Sequence, residues 1–286
     1  MSGMLRPMKL FLKMIRQPLK AGTLVLLAAM FGAGEATARH LLGQTNEQLT
    51  PIQREIERQR RRLKSDDTEE RRDALMRLGN LKRPDASRIA AAGLSDSAPM
   101  VRVAATHAIQ SLPQAEAVAL LVPLLQDKME FVRRETAYAL GKTRSHSAVG
   151  PLESVLLNDK ETGVRAAAAV ALGEIGDDSA VQSLSQILSG QSEKKKKSKG
   201  ASNEFVMRAA ARSLGQIKSR SGVSVLIATL TNDANENDVR REAATALGLI
   251  GDPAAVPALQ AAFTSKDPYL SEAARDALRR LRAAKN

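Results

Sequence analysis

Three histidines, a few adjacent acids and a row of arginines are the groups with which this chain could do chemistry. Proton transfer or metal ligation needs such groups to converge, and the histidines do not: His40, His107 and His146 fall in separate segments with no metal-ligand spacing. Asp177 and Asp178 are neighbours in a turn, where they cap a helix rather than face each other across a substrate. No HExxH, GxSxG or phosphate-binding loop is present. With no cysteine, the chain has no thiolate nucleophile, thiolate metal site or disulfide. The expectation is a chain that is not an enzyme, with no catalytic residue, no metal and no cofactor. The arginines remain, and their spacing leads to the elements that carry them.

That spacing is a repeat. Around Val164 the chain reads VRAAAAVALGEIGD, and the same frame recurs at Val101, Val132, Val206 and Val239, with weaker copies at Glu70 and Leu270. Successive anchors are 31, 31, 32, 42, 33 and 31 residues apart. Eight places after each anchor stands an aliphatic residue: Leu78, Ile109, Leu140, Leu172, Leu214, Leu247 and Leu278. A period of this length carried by two short helices predicts an all-α fold, an α-solenoid of about six stacked two-helix repeats plus a capping helix. In the helix after the anchor, Val164, Ala168, Ala169 and Leu172 share one face, and the alanines let a neighbouring helix approach. Gly173, like Gly79, Gly141, Gly215 and Gly248, stands where that helix is expected to stop. One such unit is too thin to bury its own apolar stripe, so it must stack on neighbours.

The stretches VRAAAAVALGEIGD, VRREAATALGLIGD at Val239–Asp252 and FVRRETAYALGK resemble the HEAT-repeat family, in particular its bacterial PBS-lyase-type HEAT-like variant. The resemblance runs from about Asp66 to the C-terminus and implies fold far more than function. It implies a ladder of hydrogen bonds in which a loop aspartate meets the arginine that follows the anchor valine. Asp96, Asp127 and Asp159 match that aspartate; Arg102, Arg133, Arg165 and Arg240 match that arginine. Asp233 lies one place out of register, and in the fifth unit Met207 holds the arginine position with no aspartate before it.

The resemblance also implies that the Val-Arg helices line a concave side. Positions two and six after each anchor are then expected to face outward as a protein-binding row: Arg72, His107, Arg134, Tyr138, Arg208, Arg212 and Arg241. Arginine and tyrosine are favoured at interfaces, so this row suits a moderately acidic protein partner, with solvated helix faces as the plain alternative.

Outside the repeats, three segments stand apart. Residues 1–38 join five basic residues in the first twenty, an apolar run at Ala21–Gly34 and Ala36-Thr37-Ala38, the layout of a signal peptide. The expectation is export to the periplasm or beyond, with membrane contact only if this segment stays uncleaved. Residues 39–64 read as a lead-in and a basic capping helix opening at Thr50-Pro51; a basic contact arm is the alternative. The solenoid spans 65–286, and its 42-residue step holds a lysine-rich insert at 190–203, either a solvated loop or a contact for an acidic partner. Net charge is +12 over 286 residues. That charge keeps polyanion or nucleic-acid binding open as an alternative, although aromatics are only 2% and tryptophan is absent, leaving few stacking platforms. A lyase-like accessory role on a partner protein is a further alternative. The chain is expected to act as a monomer.

Overall fold

The structure is a computed structural model, and it describes residues 49–190 and 201–283. The segment expected to be a signal peptide and most of the lead-in and lysine-rich insert lie outside the described residues. Two compact units divide the chain, Met1–Arg58 and Gln59–Asn286. In the first, α1 (Pro51–Arg62) begins, opened by a reciprocal cap: the Gln53 amide donates to Thr50 Oγ1 at 3.3 Å and the Thr50 amide to Gln53 Oε1 at 2.9 Å.

The second unit is a stack of helix pairs. The first helices of the pairs are α2 (Thr68–Asn80), α4 (Pro99–Ala108), α6 (Glu130–Thr143), α8 (Thr162–Ile175), α10 (Ala201–Ile217) and α12 (Asn237–Ile250). The second helices are α3 (Pro84–Ala90), α5 (Gln114–Leu121), α7 (Val149–Asn158), α9 (Val181–Leu188), α11 (Val223–Thr231) and α13 (Val256–Phe263). Then α14 (Pro268–Ala283) closes the stack, and no strand occurs among the described residues. Because α10 opens at Ala201, the last residues assigned from sequence to the insert belong to a helix.

The interior is built from the repeated positions. Leu78, Ile109, Leu140, Leu172, Leu214 and Leu247 have no solvent exposure, as do Val101, Val132 and Val206. Burying one such leucine is worth about 1.5–3 kcal/mol, a gain that only stacked pairs collect. In the closing helix Leu278 is half-buried, and Leu281 takes the buried place.

The glycines nine places after each anchor correct the sequence reading. They do not end the helices; α8 runs through Gly173 to Ile175, and Gly176 takes the left-handed cap conformation at φ 76°. Gly251 ends α12 the same way, whereas Arg144 and Lys218 fill the equivalent place after α6 and α10. What the internal glycines provide is contact. A Cβ on Gly141 would stand 2.8 Å from Ala171 Cα, on Gly215 2.8 Å from Ala246 Cα, and on Gly248 2.7 Å from Ala277 Cα. Each glycine thus lies against the small residue seven places after the next anchor. Where Gln110 replaces it, the side chain bridges instead, donating to Ala139 O at 3.3 Å. First helices accordingly pack on one another far more extensively than second helices do.

Candidate functional site

The inter-repeat loops hold the ladder. Arg102 donates from Nε and Nη2 to both carboxylate oxygens of Asp127 at 2.7 and 2.8 Å, while its Nη1 meets the carbonyls of Asp96 and Ser97. Arg133 repeats this with Asp159 at 2.7 and 2.9 Å and with the Asp127 carbonyl. One arginine therefore ties the loop before it to the loop after it. Each aspartate also closes a turn just before the next helix: the amides of Ala98, Met129 and Glu161 donate to Asp96, Asp127 and Asp159. Burial works to raise the pKa of Asp127 and Asp159, but the arginine and the backbone amide of the turn outweigh it and hold both carboxyls below their ordinary value. Asp96 is lowered chiefly by Arg71.

Arg71 is the rung that sequence reasoning missed. It grips Asp96 at 2.7 and 2.9 Å and reaches the carbonyls of Ser65 and Asp66. It stands one place after Glu70, and the atypical acidic anchor hid it, although position and residue type both fit. Arg165 and Arg240 differ from the intact rungs: Arg165 Nε donates to Leu156 O at 3.1 Å, and Arg240 turns to Leu230 O at 2.9 Å and to Asp233 at 2.8 Å.

The outward face of the first helices is the second candidate. Its arginines are not free charges. Arg72 pairs with Glu69 at 3.1 Å, His107 with Glu135 at 3.6 Å and Arg134 with the same Glu135 at 3.4 Å. Arg208 lies 3.3 Å from Asp238, and Arg212 meets Glu242, which raises the affinity of that guanidinium for its proton. Arg241 pairs with Asp238 and covers the Tyr269 ring, 5.3 Å from its centroid. Tyr138 is half-buried among them. The acidic partner expected from the arginines alone thus meets a face whose positive charges already have acids beside them.

Exposed apolar groups distinguish this face instead. Met76, Met100, Phe205 and Tyr269 are 55, 47, 62 and 65% exposed. They stand one place before or six after an anchor, positions two helical turns apart on the same side. Phe131 and Tyr138 share that register, so four of the five aromatic side chains in the described residues line this face and none enters the core. Between α2 and α4 a groove of about 400 Å³ opens here, lined by Arg72, Met76, Met100, Val103 and His107. Among the described residues no cluster of His, Asp or Glu is arranged to hold a metal ion, and no helix is long and apolar enough to cross a membrane.

A stack of helix pairs, pinned by an arginine–aspartate ladder and closed by glycine–alanine contacts, defines a class of helical repeat protein. The sequence matches the family of HEAT repeats over residues 59–140, 130–198 and 198–279, and the chain belongs to that family. A comparison with functionally curated proteins finds no match. Among solved structures the chain is similar to YibA of Escherichia coli, at 18% identity over 93% of this chain and 98% of that one, with a TM-score of 0.54. It is also similar to the CpcE–CpcF complex of phycocyanin lyase from Nostoc, at 24% identity over 84 and 89% of the two chains, TM-score 0.47. Human deoxyhypusine hydroxylase gives 21% identity over 87 and 91%, TM-score 0.41. At these identities the likeness is one of fold.

Proposed function

We propose that this HEAT-repeat chain is an exported, non-enzymatic scaffold that binds a protein partner along the outward face of its first helices. One observation carries the reading: Met76, Met100, Phe205 and Tyr269, four of the six exposed large apolar side chains among the described residues, share that face. Scattered exposed apolar groups are ordinary on a soluble protein; a file of them along a repeat array fits an interface. Compensated arginines beside aromatics suit the rim and centre of such a contact, with the apolar groups supplying most of the affinity. Export rests on the N-terminal layout of basic, apolar and small residues.

A photo-crosslinker placed at Met76 or Phe205, compared with one at Phe263 on a second helix, tests the face. Crosslinks to one partner from the first two sites and none from Phe263 support the reading; equal yields from all three overturn it. Cell fractionation with N-terminal sequencing tests export, which fails if the intact chain stays in the cytoplasm.

A further inference from the structure

The ladder has a rung with its arginine in place and its carboxylate missing. In three intact rungs the arginine after an anchor donates to both oxygens of an aspartate five places before the next anchor. Arg240 follows Val239, but Ser265 stands five places before Leu270. Ser265 keeps half of the aspartate's work: its Oγ accepts from the Asp267 amide at 3.2 Å, as Asp96 accepts from Ala98. It brings no charge to the arginine. Where the carboxylate would lie, a recess of about 320 Å³ opens, bounded by Arg240, Thr231, Asp233, Thr264 and Ser265 over a floor of Leu230 and alanines of α13.

Arg240 is held ready rather than satisfied. Its side chain is only 16% exposed, and its Nε is fixed by Leu230 O at 2.9 Å. Its ion-pair partner Asp233 is 88% exposed, and a carboxylate standing in water is a weak, exchangeable partner. We propose that this recess is a receptor for a carboxylate on a short aliphatic stem, which enters as the missing rung and binds Arg240 through charge-assisted hydrogen bonds. A single guanidinium with Asp233 beside it favours a monoanion over a phosphate dianion, and the apolar floor favours a carbon stem over a bare ion. The site lies on the loop edge and stands independently of the helix face described above.

The test follows the Arg240 Nε–Hε resonance in the full-length isotope-labelled chain. Two probes carry the carboxylate: butyrate, and a capped pentapeptide with one central glutamate. Butyramide and inorganic phosphate are the controls. A saturable shift with either carboxylate is expected, stronger with the peptide if the natural source is a protein side chain and stronger with butyrate if it is a small acid. Ser265→Asp, which refills the rung and leaves Arg240 intact, should weaken binding by about tenfold or more, the equivalent of one strong charged hydrogen bond. Asp233→Asn should bind at least as tightly as the unaltered chain. The proposal is overturned if neither carboxylate saturates, if butyramide or phosphate binds as well, if Ser265→Asp binds undiminished, or if Asp233→Asn binds more weakly.

Discussion

Arg133 and Asp159, 26 residues apart, meet through two parallel hydrogen bonds of 2.7 and 2.9 Å. Both side chains are 8% exposed. The geometry is the planar, forked match that only arginine makes with a carboxylate, and it locks consecutive loops across the repeat boundary.

Arg133→Ala should therefore cost more than a surface ion pair. Leaving the Asp159 carboxylate buried without its partner is expected to destabilise the chain by about 3 kcal/mol, read as a lowered denaturation midpoint in urea. Arg133→Lys keeps the charge but loses the fork, and should recover less than half of that loss.

The ladder also sets an acid limit. Asp96, Asp127 and Asp159 hold their protons less tightly when folded than when unfolded, so their contribution is fully present above the ordinary aspartate value of about 4 and is lost as pH falls through the lower folded values. Asp177 behaves alike: His146 first, then the Ser179 amide, bring it to about 2. Thermal midpoints should be flat from neutral pH to about 5 and then drop. An Asp127→Asn/Asp159→Asn double variant should show a shallower drop from a lower starting point.

Two kinds of glycine predict two kinds of damage. Gly248→Ala would drive a methyl to 2.7 Å from Ala277 Cα, a backbone atom that cannot turn aside. The helices must part, at a cost of about 1–3 kcal/mol. Gly176→Ala meets no neighbour within 4 Å, and its cost is the left-handed backbone alone, about 1–2 kcal/mol. Ala277→Gly removes the Cβ contact but leaves the Cα clash, so combined with Gly248→Ala it should recover only part of the loss in a double-mutant cycle, and it should recover none of the loss at Gly176.

Substitution on the helix face should separate stability from binding. Met100→Glu and Phe205→Glu alter exposed side chains and are expected to move the unfolding free energy by no more than about 0.5 kcal/mol. Partner capture should nonetheless fall sharply. Because the arginines of the face already have acids beside them, capture should change little between low and physiological salt, in contrast to a contact steered by uncompensated charge.

The period of the chain and its buried leucines were legible because a stack leaves them no freedom: a residue that faces the neighbouring pair in one repeat does so in every repeat. The family resemblance put Arg102, Asp127, Arg133 and Asp159 in a ladder without saying which arginine meets which aspartate; the structure pairs Arg102 with Asp127 and Arg133 with Asp159. Gly173 misled because a glycine near a helix end has two uses, stopping the helix or admitting a neighbour, and one sequence does not separate them. The deciding signal lay in the partner position, where Ala171, Ser213, Ala246 and Ala277 are all small. Arg134 and Arg212 looked like free positive charges because their acids, Glu135 and Glu242, sit at other register positions; for Arg212 the acid belongs to the next repeat. Compensation across a boundary has no local pattern.

The aliphatic interior leaves one practical consequence. With no tryptophan in the chain and two tyrosines, Tyr138 and Tyr269, both on the helix face, near-ultraviolet emission originates where a partner would land. The native protein is thus its own optical probe, with its light-emitting rings on the proposed contact surface and a spectroscopically silent interior.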